Sequence, residues 1–115
     1  VRLADWADEH SIATVAYLVI DVEGYEPLVI EGMGLEEEAN RRRFALFQFE
    51  LGGTWAERDP RRPFAWNQEQ AAEFLEWAGY RLFLIGATEY LQVRPDFFRG
   101  DAGAVWDSGF GRYVQ

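Results

Sequence analysis

The sequence predicts an α/β fold, in which helices alternate with strands of one mostly parallel sheet. Two mainly apolar runs, residues 15–20 and 43–50, are typical of strands, and helical patterns precede and follow the first of them. Two shorter runs, at 80–85 and 90–94, are joined by a short G-A-T-E connection, which indicates a hairpin. We therefore expect a parallel sheet that carries an antiparallel hairpin at its edge.

Spacing and punctuating residues define the first elements. Residues 3–10 place apolar side chains at helical intervals, whereas residues 15–20 are apolar throughout and suit a strand buried on both faces. Pro27 suits the first turn of the next helix, and Gly32 and Gly34 would end it. The side chains expected to share the buried face of that helix are those of Tyr25, Leu28, Val29 and Met33.

The remaining elements are predicted in the same way. Residues 36–43 form a polar helix whose three final arginines match the helix dipole, although an anion-binding triplet is the alternative. The apolar residues of 51–66 follow neither helical nor strand spacing, so this stretch is predicted to be a loop. Loops of this length often serve as lids or binding loops. A helix then begins near Asn67 and ends at Gly79, and its buried stripe consists of Ala71, Phe74, Leu75 and Ala78.

Composition excludes several classes of function. The 115 residues suffice for one domain, and their net charge of -9 opposes binding to nucleic acid or an anionic membrane. The sequence has no cysteine, which excludes disulfides and thiolate metal sites, and His10 alone is too few for a histidine-based site. No apolar run reaches the roughly 18 residues of a membrane span, so we expect a cytoplasmic protein without membrane insertion.

Carboxylates follow both predicted parallel strands. In open α/β sheets, ligands bind beyond the carboxyl ends of the strands, and Asp21 and Glu50 occupy those ends. If the strands are neighbours, both side chains should face one cleft. There a carboxylate could act as a general base, hold a substrate hydroxyl or bind a divalent cation.

Capping of the next helix is the structural alternative for these acids. We favour a functional role for Asp21, leave both possibilities open for Glu23, and expect Glu26, beside Pro27, to be a cap. Gly24 would allow a tight turn from strand to helix. In the long loop, Trp55 and its aromatic neighbours either stack on a sugar or cover a core.

These residues also resemble a known family. The run VRLADWADEHSIATVAYLVIDVEGYEPLVIEGM is similar to the segment of FkbM-type methyltransferases with the pattern L-D-D-W, then K-I-D-V-E-G, then a helix closing in glycine. The later FALFQFELG, GYRLF and LIG follow the family's order, so the resemblance covers roughly residues 1–98. It implies a Rossmann-like class I methyltransferase fold of strand order 3-2-1-4-5-7-6, of which this chain would supply strands 4 to 7.

The resemblance also implies a function. Family members use S-adenosylmethionine and usually methylate a hydroxyl on a sugar, lipid or natural product, so the expected partner is a small-molecule or glycan acceptor. The D-V-E-G motif implies that Asp21 is the catalytic group, which either lies near the methyl donor or acts as the base. Glu23 and Glu50 would orient the acceptor, and the loop around Trp55 would help to select it.

The sequence departs from the family in two ways. Val19 stands where lysine is common, and neither the glycine-rich loop nor the acidic residue that hold the donor is present. Residues 1–115 are thus expected to be the C-terminal part of one methyltransferase domain without its donor-binding half, inactive alone, with no metal site and no assigned cofactor-binding residues. The alternatives are a non-catalytic glycan-binding module and an inactive half-domain.

Overall fold

A computed structural model describes residues 1–50 and 68–98. The chain consists of two compact units, Val1–Phe49 and Glu50–Gln115. The long loop predicted at 51–66, with Trp55, and the tail beyond Phe98 lie outside the described residues.

The first unit contains three short helices and a pair of parallel strands. In the register of that pair, Leu18 lies opposite Phe47 and Ile20 lies opposite Phe49, which confirms the predicted parallel pairing. The elements in chain order are α1 (Leu3–Glu9), β1 (Leu18–Ile20), α2 (Glu26–Gly32), α3 (Glu38–Arg43) and β2 (Phe47–Phe49).

The buried face of α2 differs from the predicted one. Ile30 and Met33 are fully buried, whereas Tyr25 is half exposed and Leu28 and Val29 are only partly buried. The buried row consists of Glu26, Ile30 and Met33, of which the predicted face included only Met33. The other buried apolar residues of this unit are Ala4, Ala7, Ile20, Leu35 and Phe44.

The first strand is shorter and less buried than the apolar run suggests. Ile20 is buried, but Val19 is 55% exposed, so the prediction of a strand buried on both faces is wrong. Successive side chains of a strand point to opposite sides, and only the side of Ile20 packs into the core. On the exposed side, the Tyr17 hydroxyl donates a hydrogen bond to Gln48 Oε1 across the two strands.

Arg43 connects α3 to two other segments of the first unit. Its Nη1 donates to the carbonyl of Ala4 at 3.1 Å, and its Nη2 contacts the carboxylate of Asp8 in the same helix α1. Its backbone carbonyl accepts the amide of Val15 at 2.9 Å. One arginine therefore joins α1, α3 and the approach to β1.

The other two arginines of α3 also have partners within the unit. Arg41 Nη1 donates to the carbonyls of Leu35 and Glu36 at 2.8 and 3.0 Å, and Arg42 pairs with Glu38 at 2.5 Å on the surface. All three arginines thus serve internal contacts, which favours the structural interpretation over an anion-binding triplet.

The second unit contains the predicted helix and hairpin. Helix α4 (Gln68–Trp77) is followed by Gly79, whose φ of 94° lets the chain leave the helix as predicted. Strands β3 (Leu82–Ile85) and β4 (Tyr90–Val93) pair antiparallel, and a 3₁₀ helix follows at Pro95–Phe98. Their core is the cluster of Ala72, Leu84, Val93 and Phe98.

The described strands form two separate two-stranded sheets instead of one sheet with an antiparallel edge. The hairpin closes on itself through a hydrogen bond from Gly86 N–H to the Glu89 carbonyl, at 2.7 Å. Its pairing is local in the chain and therefore needs no third strand.

Candidate functional site

The D-V-E-G segment forms a tight turn that directly follows β1. Asp21 and Glu23 are both exposed, and the chain reverses at Glu23 and Gly24, whose φ angles are 50° and 93°. Glycine adopts the left-handed conformation without steric cost, which confirms the predicted role of Gly24. Glu23 adopts it as a residue with a side chain, so other contacts must hold the turn.

Those contacts come from Glu26. Its side chain is 1% exposed, with Oε1 accepting the backbone amide of Val22 at 3.1 Å and Oε2 that of Gly24 at 2.9 Å. Each carboxylate oxygen therefore satisfies one amide of the turn. Burying a polar group is costly unless it is hydrogen-bonded, and here both oxygens of Glu26 have a partner.

The hydrogen bonds of Glu26 also decide whether this residue caps helix α2. The N-cap of α2 is Tyr25, and no side chain caps it. Glu26 binds amides that precede the helix, so its predicted role as a helix cap is wrong and its role is to close the turn. The structural alternative for Asp21 and Glu23 was that one of them caps α2. Neither does so, and the amides of the turn bind Glu26 instead.

Asp21 and Glu50 each directly follow one of the two parallel strands. The last residues of these strands, Ile20 and Phe49, pair with each other. A carboxylate oxygen of Asp21 also lies within 4.8 Å of one of Glu26. Glu26 is buried and Asp21 is exposed, so Asp21 is the acid of this pair that solvent reaches.

The other residues singled out from the sequence have simpler outcomes. Trp55 is outside the described residues, so its role in acceptor selection stays a prediction. His10 lies on the surface, as expected, where its ring stacks on Trp6 with centroids 4.3 Å apart. The turn-closing role of Glu26 was missed, although its position two residues after a turn glycine was a visible signal.

The first unit is therefore an α/β unit with an acidic turn after the first of its two parallel strands, at the edge where open α/β sheets generally bind ligands. The family model described as the methyltransferase FkbM domain matches residues 1–82 of the 115. This chain belongs to that family. The match includes both strands of the first unit, the acidic turn and Glu50, and it ends at the start of β3, short of the expected residue 98.

Comparison with curated proteins and with solved structures gave no match. Within the described residues, no helix is long and apolar enough to cross a membrane.

Proposed function

We propose that this chain is part of an S-adenosylmethionine-dependent methyltransferase that transfers a methyl group to a hydroxyl of a sugar, lipid or natural product. The observation that carries the proposal is the FkbM match over residues 1–82, since that stretch contains the acidic turn at the strand edge. The fold adds support, because β1 and β2 are parallel neighbours, as strands 4 and 5 of the family fold are. The antiparallel β3 and β4 would be strands 6 and 7.

The chemistry of the turn fits this reaction. When bound, S-adenosylmethionine supplies an electrophilic methyl group on a positively charged sulfur. The exposed carboxylate of Asp21 suits such a cationic donor, and a carboxylate is also able to accept a hydroxyl proton. The chain has no glycine-rich donor loop, so we assign no other donor-binding residue.

In the proposed reaction, the acceptor oxygen forms a bond to the methyl carbon as the bond between carbon and sulfur breaks. Asp21 takes the hydroxyl proton, directly or after orienting the acceptor, and the sulfur leaves as a neutral thioether. Glu23 and Glu50 would hold the acceptor, and Trp55 would contribute to its selection. Most of the acceleration would come from holding the two reactants in line.

Calorimetric titration of the full-length protein with S-adenosylmethionine tests the donor half of this proposal. We expect binding that weakens about tenfold or more in Asp21→Ala, because the cationic ligand loses a charged partner. The matched control is Glu31→Ala, which removes an exposed acid from α2 and should leave binding unchanged. A full-length protein that does not bind S-adenosylmethionine would contradict the proposal, and saccharide binding in its place would favour a glycan-binding module.

The acceptor half needs a second measurement. The full-length protein is incubated with S-adenosylmethionine labelled on its methyl group and with panels of sugars, lipids and hydroxylated natural products. We expect label in a product that survives mild base, as a methyl ether does and a methyl ester does not. Labelling of carboxyl or amine groups alone would contradict transfer to a hydroxyl.

A further inference from the structure

Glu26 has a specific relationship to both proposed site acids. The amide of Val22 belongs to the peptide group that begins at the carbonyl of Asp21, and the amide of Gly24 to the one that begins at Glu23. Glu26 accepts both amides, one on each oxygen. One buried carboxylate thus fixes the two peptide groups that immediately follow the two acids.

We infer that Glu26 is the positioning residue of this site, which sets the places of Asp21 and Glu23 and does not itself contact the substrate. This deepens the proposed function and rests on it for the roles of the two acids. The geometry used for this inference involves only contacts within the first unit. Glu26 is 1% exposed and both its oxygens are occupied, whereas Asp21 and Glu23 are exposed.

Accepting both amides from position 26 requires a glutamate. Glutamine has one acceptor oxygen and one NH₂ group, so it would place a donor against one of the two amides. Aspartate is one methylene shorter and cannot bring both oxygens to amides two residues apart from the same backbone position. Either change leaves one amide of the turn without its acceptor, in a segment where Glu23 must hold a φ of 50°.

The hydrogen bonds can be tested first in the unaltered full-length protein. Scalar couplings across hydrogen bonds should connect the amide nitrogens of Val22 and Gly24 to the side-chain carboxyl carbon of Glu26. This measurement needs no variant, so it decides the geometry even if every substitution at Glu26 prevents folding. Absence of both couplings in well-resolved spectra would overturn the inference.

The positioning role is tested with Glu26→Gln and Glu26→Asp. We expect both variants to keep the far-ultraviolet circular dichroism spectrum, to shift the amide proton resonances of Val22 and Gly24 upfield, and to bind S-adenosylmethionine about tenfold more weakly. Glu31→Gln, an exposed acid on the same helix, is the control and should change none of these. Unchanged amide resonances in Glu26→Gln would overturn the inference.

A double variant separates positioning from a general loss of stability. If Glu26 acts through Asp21, adding Glu26→Gln to Asp21→Ala should weaken binding little beyond Asp21→Ala alone. Fully additive losses would overturn the positioning role. If the unaltered protein does not bind S-adenosylmethionine, the proposed function fails, whereas the couplings and amide shifts still decide whether Glu26 sets the turn.

Discussion

The side-chain amide of Asn40 donates a 3.0 Å hydrogen bond to the carbonyl of Gly34, where the chain passes from α2 to α3. The same carbonyl accepts the backbone amide of Glu37 at 3.1 Å. Gly34 has a φ of 64°, and Asn40 is 5% exposed. The start of the connection between the two helices is therefore buried, and both residues hold it in place.

Gly34→Ala should destabilise the protein strongly. The added methyl carbon would lie 2.8 Å from Nδ2 of the buried Asn40, in a left-handed conformation that disfavours side chains. We expect the free energy of unfolding, measured by urea denaturation, to fall by about 2 to 3 kcal/mol. Gly32→Ala is the control, because its methyl would meet only ordinary contacts from 3.5 Å outward, and it should keep or slightly raise stability. Equal losses in the two variants would contradict this explanation.

Asn40→Asp should also destabilise the connection. The change keeps the shape of the side chain but replaces the donor to Gly34 with an oxygen that repels the carbonyl. We expect the midpoint of thermal unfolding to fall, with a loss of about 2 kcal/mol at that temperature. Gln92→Glu adds the same charge at an exposed position of β4 and serves as the control. The prediction fails if both variants melt together with the unaltered protein.

Arg43 and Arg42 should respond very differently to the same substitution. Arg43→Lys loses the fork that reaches both Ala4 and Asp8, and we expect a loss of about 1 to 2 kcal/mol in urea denaturation. Arg42→Lys alters only an exposed ion pair with Glu38, so the free energy of unfolding should change by less than about 0.5 kcal/mol. Similar values for the two lysine variants would show that the link to α1 contributes little.

Substitutions of Glu23 separate the conformation of the turn from its charge. Glu23→Val places a β-branched residue at a φ of 50° and should cost about 1 to 2 kcal/mol in thermal unfolding. Glu23→Asn removes the charge but tolerates the left-handed conformation, so its stability should stay within about 0.5 kcal/mol of the unaltered protein. Equal stability of the two variants would mean that the turn is not held in this conformation.

The sequence predicted best those features that depend on short-range rules. Apolar spacing, helix dipoles and glycine stops located the four α-helices of the described residues, and Gly34 and Gly79, which follow α2 and α4, indeed have positive φ angles. The position of the acidic turn followed from a strand run broken by D-V-E-G. The parallel pairing of β1 with β2 was also predicted.

Features that depend on packing were predicted less well. The apolar run before Asp21 suggested burial on both faces, but side-chain polarity does not say which face receives a partner, and Val19 is exposed. The hydrogen bonds from the amides of the turn to Glu26 were also not predicted. These bonds require an unusual left-handed glutamate at position 23, which no residue preference anticipates.

The bonds that close the acidic turn span two and four residues, whereas the contact between Tyr17 and Gln48 across the strands spans 31. Closing a short loop costs less chain entropy than closing a long one, and local contacts form faster. The turn can therefore be established during folding before its own sheet is complete. The geometry of the acidic turn is then set by one short stretch of chain.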